Sequence, residues 1–266
     1  MDIHKPKPVH SLKEFLSEIG VIVCGILIAL AGEQVVERME WAHKVREARE
    51  ALTSELGEDL GQGQLRVTVQ DCVERRLDEL AGVVDLAASS GRLPPLPAPG
   101  VPPFFTWDTG IWKGVVAAQT STHMDPEVLK GYVAVYEFIS QVSDENRQEL
   151  RTWTRLYTLA GPGRRFEPAE GSAYREAIAQ ARLANRSIGL SMVRARQIAD
   201  AWALHYDRKQ FQSYSERPRN TVAVCQPLGT GRVEHYGEAP LNGVVPFALQ
   251  HPITRDDVGL PASQKR

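Results

Sequence analysis

The chain has 266 residues, 42% of them hydrophobic and 24% charged, with a net charge of −2 and a pI near 6.4. That length builds one or two domains with a sizeable core, and the composition is that of a folded protein. The near-neutral balance excludes a global field that would favour nucleic acid.

The first predicted element is the apolar stretch "EIGVIVCGILIALAGEQVVERMEW", Glu18 to Trp41. From Ile19 to Gly32 no charge or amide occurs over fourteen residues, about 21 Å of helix and short of the ~30 Å hydrocarbon core. The flanks extend it: Phe15–Val36 is 22 residues, a full span of about 33 Å with Glu18 and Glu33 towards its two ends. Two alternatives compete with a membrane anchor, a cleaved signal peptide and a buried core helix. Ala29-Leu30-Ala31 has the small-x-small pattern of a cleavage site, but Glu18 abuts the apolar run where a basic flank belongs. The helical pattern also continues past that site, with Val35, Met39, Ala42, Val45, Ala48, Leu52, Leu56 and Leu60 at intervals of three or four. The expectation is an uncleaved anchor that runs on as a stalk. Basic residues stand on both sides of the span, so their distribution does not orient it.

Further along, "GEDLGQGQ" (Gly57–Gln64) holds three glycines and predicts a break in the helix; no strand precedes it and no Lys-Ser/Thr follows, so it is not a phosphate loop. A second amphipathic helix covers Leu65 to Ala87. "SSGRLPPLPAPGVPP" (Ser89–Pro103), with six prolines, stops it and predicts an extended connection. A third helix spans Trp107–Gln119. The fourth starts at Asp125, an N-cap followed by Pro126 and Glu127, and continues to about Leu159. "GPGRRFEP" (Gly161–Pro168) ends it, and a last long helix is predicted from Gly171 to Tyr214. From Ser215 onward prolines and glycines break any period; "TVAVC" and "GVVPFAL" read as short extended segments, and the chain past Asp256 as disordered. The predicted architecture is all-α: a short tail over 1–14, a transmembrane anchor over 15–36, a helical bundle over 37–214, and an irregular tail over 215–266 packed on the bundle.

Two runs carry a family resemblance. "EIGVIVCGILIALAGEQVVE" is similar to the anchor of bacterial single-span inner-membrane proteins of unknown function, in which such a span leads into a charged helix. "FFTWDTGIWKGVVAAQTSTHMDPEVLKGYVAVYEFI" resembles a second feature of that group, an aromatic-led helix, a turn, and a helix ending in paired tyrosines. The resemblance covers roughly sixty residues. It implies a bacterial inner-membrane protein, with no activity and no catalytic residues to carry over.

Candidate sites are few. Gly20, Cys24, Gly25, Ala29 and Gly32 place small side chains about four apart in the span, where two helices could approach and self-associate. Cys72 and Cys225 would form a disulfide if the body faces an oxidising compartment; two separate buried thiols are the alternative, and Cys24 packs as a small hydrophobe. Trp107, Trp112, Tyr132, Tyr136 and Trp153 are candidates to line a groove between helices, against the simpler reading that they are core. His205, beside Trp202 and Tyr206, is the best lone imidazole, and the acidic residues read as solvated helix faces. No hydrolase, metal-ligand or phosphate-loop spacing occurs, so no cofactor is expected. The expected partners are the lipid bilayer, a second copy through the span, and an unidentified protein. The expected function is non-enzymatic, a scaffold or accessory subunit acting by protein–protein contact, with the body outside the cytoplasm. The alternative is a periplasmic ligand-binding, sensor-like domain with an aromatic pocket.

Overall fold

The computed structural model describes residues 12–107 and 109–228. Six α-helices make up most of them: α1 Leu12–Thr68, α2 Gln70–Ser90, α3 Gly110–Ala117, α4 Pro126–Tyr157, α5 Pro168–Ala201 and α6 Arg208–Ser215. A two-residue ribbon, β1 Arg92–Leu93 against β2 Arg164–Arg165, is antiparallel. The fold is all-α.

No proline occurs between Leu12 and Ser90, and the backbone stays helical over that whole length but for one bend. Two corrections to the sequence reading follow. The helix already includes Leu12, the first described residue, inside the predicted tail, and the predicted break over Gly57–Gln64 does not exist. The glycines instead let other elements approach α1. A Cβ on Gly57 would lie 2.6 Å from the Asp207 carbonyl oxygen, one on Gly61 2.8 Å from that of Phe211, and one on Gly63 would collide with the Met192 methyl. The bend comes at Val69 (φ −99°, ψ 7°), where the Thr68 hydroxyl donates back to the Gln64 carbonyl at 2.8 Å, a bond that bends helices. Hydrogen bonds from Val69 N to Leu65 O and from Val73 N to Val69 O carry the ladder across it. α1 and α2 therefore form one spine, closed at Gly91, whose φ of 69° is the left-handed cap that glycine accepts without cost.

α4 runs parallel to the spine: Tyr136 faces Glu55 and Glu149 pairs with Arg66. α5 returns antiparallel. Arg196 bonds Gln64 and Arg175 bonds Asp85, so 21 residues of one helix match 21 of the other. The proline segment connects the far end of α2 to α3. From Arg92 to Thr109 it is 18 residues, about 56 Å at polyproline rise. The spine it runs beside, from Glu55 to Ser90, is about 53 Å. An extended strap is what this return path requires, and proline supplies it. Leu96 bridges Gly161, and Asn146 Nδ2 donates to the Phe105 carbonyl at 2.9 Å.

The predicted third helix is shorter than expected, giving way at Gln119 (φ 59°) to a 3₁₀ turn, Thr120–His123. α4 starts as expected, with Asp125 Oδ1 accepting from the amides of Glu127 and Val128. Asp125→Ala should lower stability by about 1 kcal/mol, read as a urea midpoint. The predicted last helix is two. It stops at Ala201, turns through Ala203 (φ 50°), and restarts as α6 under an N-cap at Asp207. α6 lies along α1, with Asp207 N donating to Thr53 O and Tyr214 to Glu58. "TVAVC" is not extended but sits in two 3₁₀ turns, Arg219–Thr221 and Ala223–Cys225. This segment packs on α2, burying Val222 and Val224. "GVVPFAL" and the predicted disordered end lie outside the described residues.

A contrast between two glycines measures how tightly α6 is seated. Gly61→Ala gains helix propensity yet should lose about 1–3 kcal/mol, because the α6 backbone must move. Gly82, on α2 with nothing within 4 Å of a built Cβ, should gain roughly 0.5–1 kcal/mol on the same change. Equal shifts in urea midpoint would contradict the packing.

Candidate functional site

The apolar interior is divided. One cluster, nearer the N-terminal end of the spine, holds Leu52, Leu56, Leu60, Val142 and Ile188; the other, farther along, holds Leu65, Val69, Trp153 and Ala181. Between them lies a layer of buried polar side chains from four helices: Gln62 and Arg66 on α1, Gln70 at the start of α2, Asn146 and Glu149 on α4, and Asn185 on α5, each 6% exposed or less. Most of these residues have a partner on another segment, whereas Gln62 Nε2 donates to Glu58 one turn away on the same helix. Arg66 Nη2 donates to both Glu149 carboxylate oxygens, at 2.9 and 3.0 Å. Gln70 Nε2 donates to the Asn185 carbonyl at 3.2 Å, and Asn185 Nδ2 to the Gln70 carbonyl at 3.1 Å. Gly189 leaves room for the Gln70 amide, 2.6 Å from where its Cβ would stand. Burial raises the Glu149 pKa, with Arg66 acting against it and Glu145 adding to it. Arg66 Nε and Nη1 and Gln62 Oε1 have no protein partner among the described residues.

A second polar feature sits closer to the exposed N-terminal part of α1. Glu55, 6% exposed, accepts from the amides of Ile111 (2.9 Å) and Trp112 (3.2 Å), capping α3 with a negative charge from another helix. Beside it Tyr136 has its pKa pushed well above the usual phenol range, first by burial and then by the Glu55 carboxylate. Burial also raises Tyr132, opposed by Arg49. The reading of acidic residues as solvated faces thus fails for Glu55, Asp59 and Glu149, which are all buried. No signal along the chain marked Glu55 or Glu149, because their partners lie 56 to 83 positions away.

The predicted aromatic set divides in the same way. Trp107, Trp112, Tyr132 and Tyr136 come together, Trp112 stacking on Tyr136 at 5.2 Å and 6°, whereas Trp153 belongs to the other cluster. They line no open groove: Trp107, Tyr132 and Tyr136 are buried and Trp112 half-buried against them. A hollow at Trp153, between the strap and α4, measures about 10 Å³, the space of one water. His205 is exposed in the turn between α5 and α6. Among the described residues no three His, Cys, Asp or Glu side chains gather as metal ligands.

Cys72 and Cys225 are joined by a disulfide, Cα–Cα 4.9 Å, that ties the C-terminal segment to α2. Arg219 pairs with Asp71, and Arg76 donates to the Gln226 carbonyl, on either side of it. Gly100 of the strap (φ 67°) passes beneath, with the Ala223 carbonyl 2.7 Å from where a Cβ would be. No side chain fits there.

In the N-terminal part of α1 every described residue from Phe15 to Glu40 is exposed, including Val21, Ile22, Ile28, Val36 and Met39. Gly20, Gly25 and Gly32 have nothing within 4 Å of a built Cβ, and Cys24 is a free, exposed thiol. This segment is long and apolar enough to cross a membrane. It is not the core helix that one sequence alternative allowed, since none of it is buried. Comparison with family models, with curated proteins and with solved structures finds no match to this chain.

Proposed function

We propose that this protein is a membrane-anchored scaffold or accessory subunit that works by contact with another protein and catalyses nothing itself. The observation that carries this reading is the continuity of α1. Apolar and bare over Phe15–Val36, it then becomes, without a break, the spine on which α4, α5 and α6 pack. A lipid bilayer is the environment that suits such a segment, because exposed apolar area in water costs roughly 25 cal/mol per Å². A body fused to its anchor by a helix holds its surfaces at a set height, which suits presentation to a partner.

The polar groups inside the body are engaged in structure: Arg66 with Glu149, Glu55 with α3, Asn185 with Gln70. The aromatic residues fill their own space, which ranks the scaffold above the ligand-binding sensor. The disulfide supports a body on the oxidising side of its membrane; with the resemblance of the anchor, we assign a bacterial inner membrane and a periplasmic body. Self-association through Gly20, Cys24, Gly25, Ala29 and Gly32 belongs to the same proposal.

The test is affinity capture of the full chain from solubilised membranes, followed by rebinding to the purified chain in nanodiscs. A stoichiometric partner that rebinds supports the scaffold. Recovery of the chain alone, or with partners that fail to rebind, overturns it.

A further inference from the structure

We infer that the end of the body nearest the anchor, Val116 to Met124 together with Trp41, is seated in the headgroup layer, so that zwitterionic phospholipid headgroups are the partner of this surface. The inference rests on the reading that Phe15–Val36 crosses a bilayer. Its argument is one of height. α1 is unbroken, so Trp41 stands five residues beyond Val36, about 7.5 Å along the axis. A headgroup layer is roughly 5–8 Å thick on each side of the hydrocarbon. Trp41 is also where the body first touches the helix. Its ring stacks on His123 at 3.8 Å between centroids and 13° between planes, and the Lys44 ammonium lies 4.5 Å from its centroid.

The chain brings His123 to that height by design of the preceding elements. α3 starts at Glu55 and runs back toward the anchor, and the turn at Gln119 hands over to the 3₁₀ segment. What this end presents fits an interface. Tryptophan and a lysine that can reach outward are the residues that favour the headgroup level. Met39 is 69% exposed and Val116 47%, apolar groups that a partly dehydrated layer would cover. Acids and bases are mixed, with Asp125 and Glu127 beside Lys130, which favours a zwitterionic surface over an anionic one. Seated this way, the body contacts the membrane beside the span as well as through it, and the rod is held upright.

The experiment is depth measurement by spin label on the full chain in phosphatidylcholine nanodiscs, using collisional access of oxygen and of a polar nickel complex. Labels go at native Cys24, at Thr122→Cys and at Arg155→Cys, the latter two in a Cys24→Ser background. Thr122 and Arg155 are both exposed, at the near and far ends of the body. The expected result is a Cys24 label in hydrocarbon, an Arg155 label in water, and a Thr122 label between them, with nickel access lost relative to Arg155. A Thr122 label as accessible to nickel as the Arg155 label, while Cys24 reports hydrocarbon, overturns this inference and leaves the anchor standing. A water-exposed Cys24 label overturns both. A Thr122 label shielded from nickel and oxygen alike, as by a second protein chain, also overturns it.

Discussion

Replacing Arg66 with alanine will destabilise the body by about 3–5 kcal/mol, among the largest losses of any single side chain here, because it strands a buried carboxylate. Glu149 is 3% exposed and Arg66 1%, and both Glu149 oxygens bond the same Nη2 group. Glu149→Gln, which leaves the guanidinium without its counter-charge, should lose a comparable amount. The double change Arg66→Met with Glu149→Leu should recover most of it, since replacing a buried pair by packed apolar groups is commonly neutral or better. The loss in Arg66→Ala should also depend on pH. Burial raises the Glu149 pKa even with Arg66 present, and Arg66 is the one group that lowers it; without Arg66 it rises further. A carboxyl whose folded pKa lies above its unfolded value of about 4.3 holds its proton more tightly when folded. Its stabilising contribution is complete below the unfolded value and disappears as pH climbs through the folded one. The defect of Arg66→Ala should therefore be small in acid and full at neutral pH. Urea midpoints of the full chain in detergent, followed by circular dichroism from pH 4 to 8, would show it; a pH-independent loss would mean the carboxylate is not what suffers.

The helices were legible because periodicity and caps are local. Asp125-Pro126-Glu127 announced α4, and the apolar repeat from Val35 to Leu60 announced the stalk. The prolines announced an extended path, though not that it runs the length of the bundle. The errors came where a contact distant in sequence decides a local question. Three glycines within Gly57–Gln64 cost a helix about 1 kcal/mol each, which reads as a break until Asp207, Phe211 and Met192 are seen packed against them. The end of α5 was missed for the opposite reason. Trp202 and Tyr206 keep the helical spacing, and the turn uses Ala203 at positive φ instead of a glycine; Asp207 as N-cap was the signal available. The polar layer was invisible. Arg66 and Glu149 are 83 positions apart, and neither residue, alone on its helix, differs from a solvated charge. Such a layer also has a consequence for assembly. Sliding α4 along the spine by one turn in one direction would put Trp153 opposite Arg66 in place of Glu149, so the layer favours one register between helices, a role that buried polar groups have in other bundles.

Removing the disulfide as Cys72→Ser/Cys225→Ser should cost about 2–5 kcal/mol, towards the upper end because the bridge closes a separation of 153 residues and the entropy released to the unfolded chain grows with that length. The loss should be uneven. The segment Arg219–Gln226 keeps two other ties, Arg219 to Asp71 and Arg76 to the Gln226 carbonyl. Both are interactions at one edge of α2, and neither covers Val222 and Val224 once the segment lifts. Beneath it lies the strap at Gly100, whose backbone meets Ala223. Amide hydrogen exchange should therefore rise first in 216–228 and in the strap around Gly100, while α4 and α5, joined through the polar layer, hold until global unfolding. A urea midpoint unchanged by reduction would show that the segment adds nothing to the body's stability. A midpoint that falls ties function to place: a body that depends on this bridge keeps its full stability only where thiols are oxidised, the side of the membrane on which the proposed scaffold would stand.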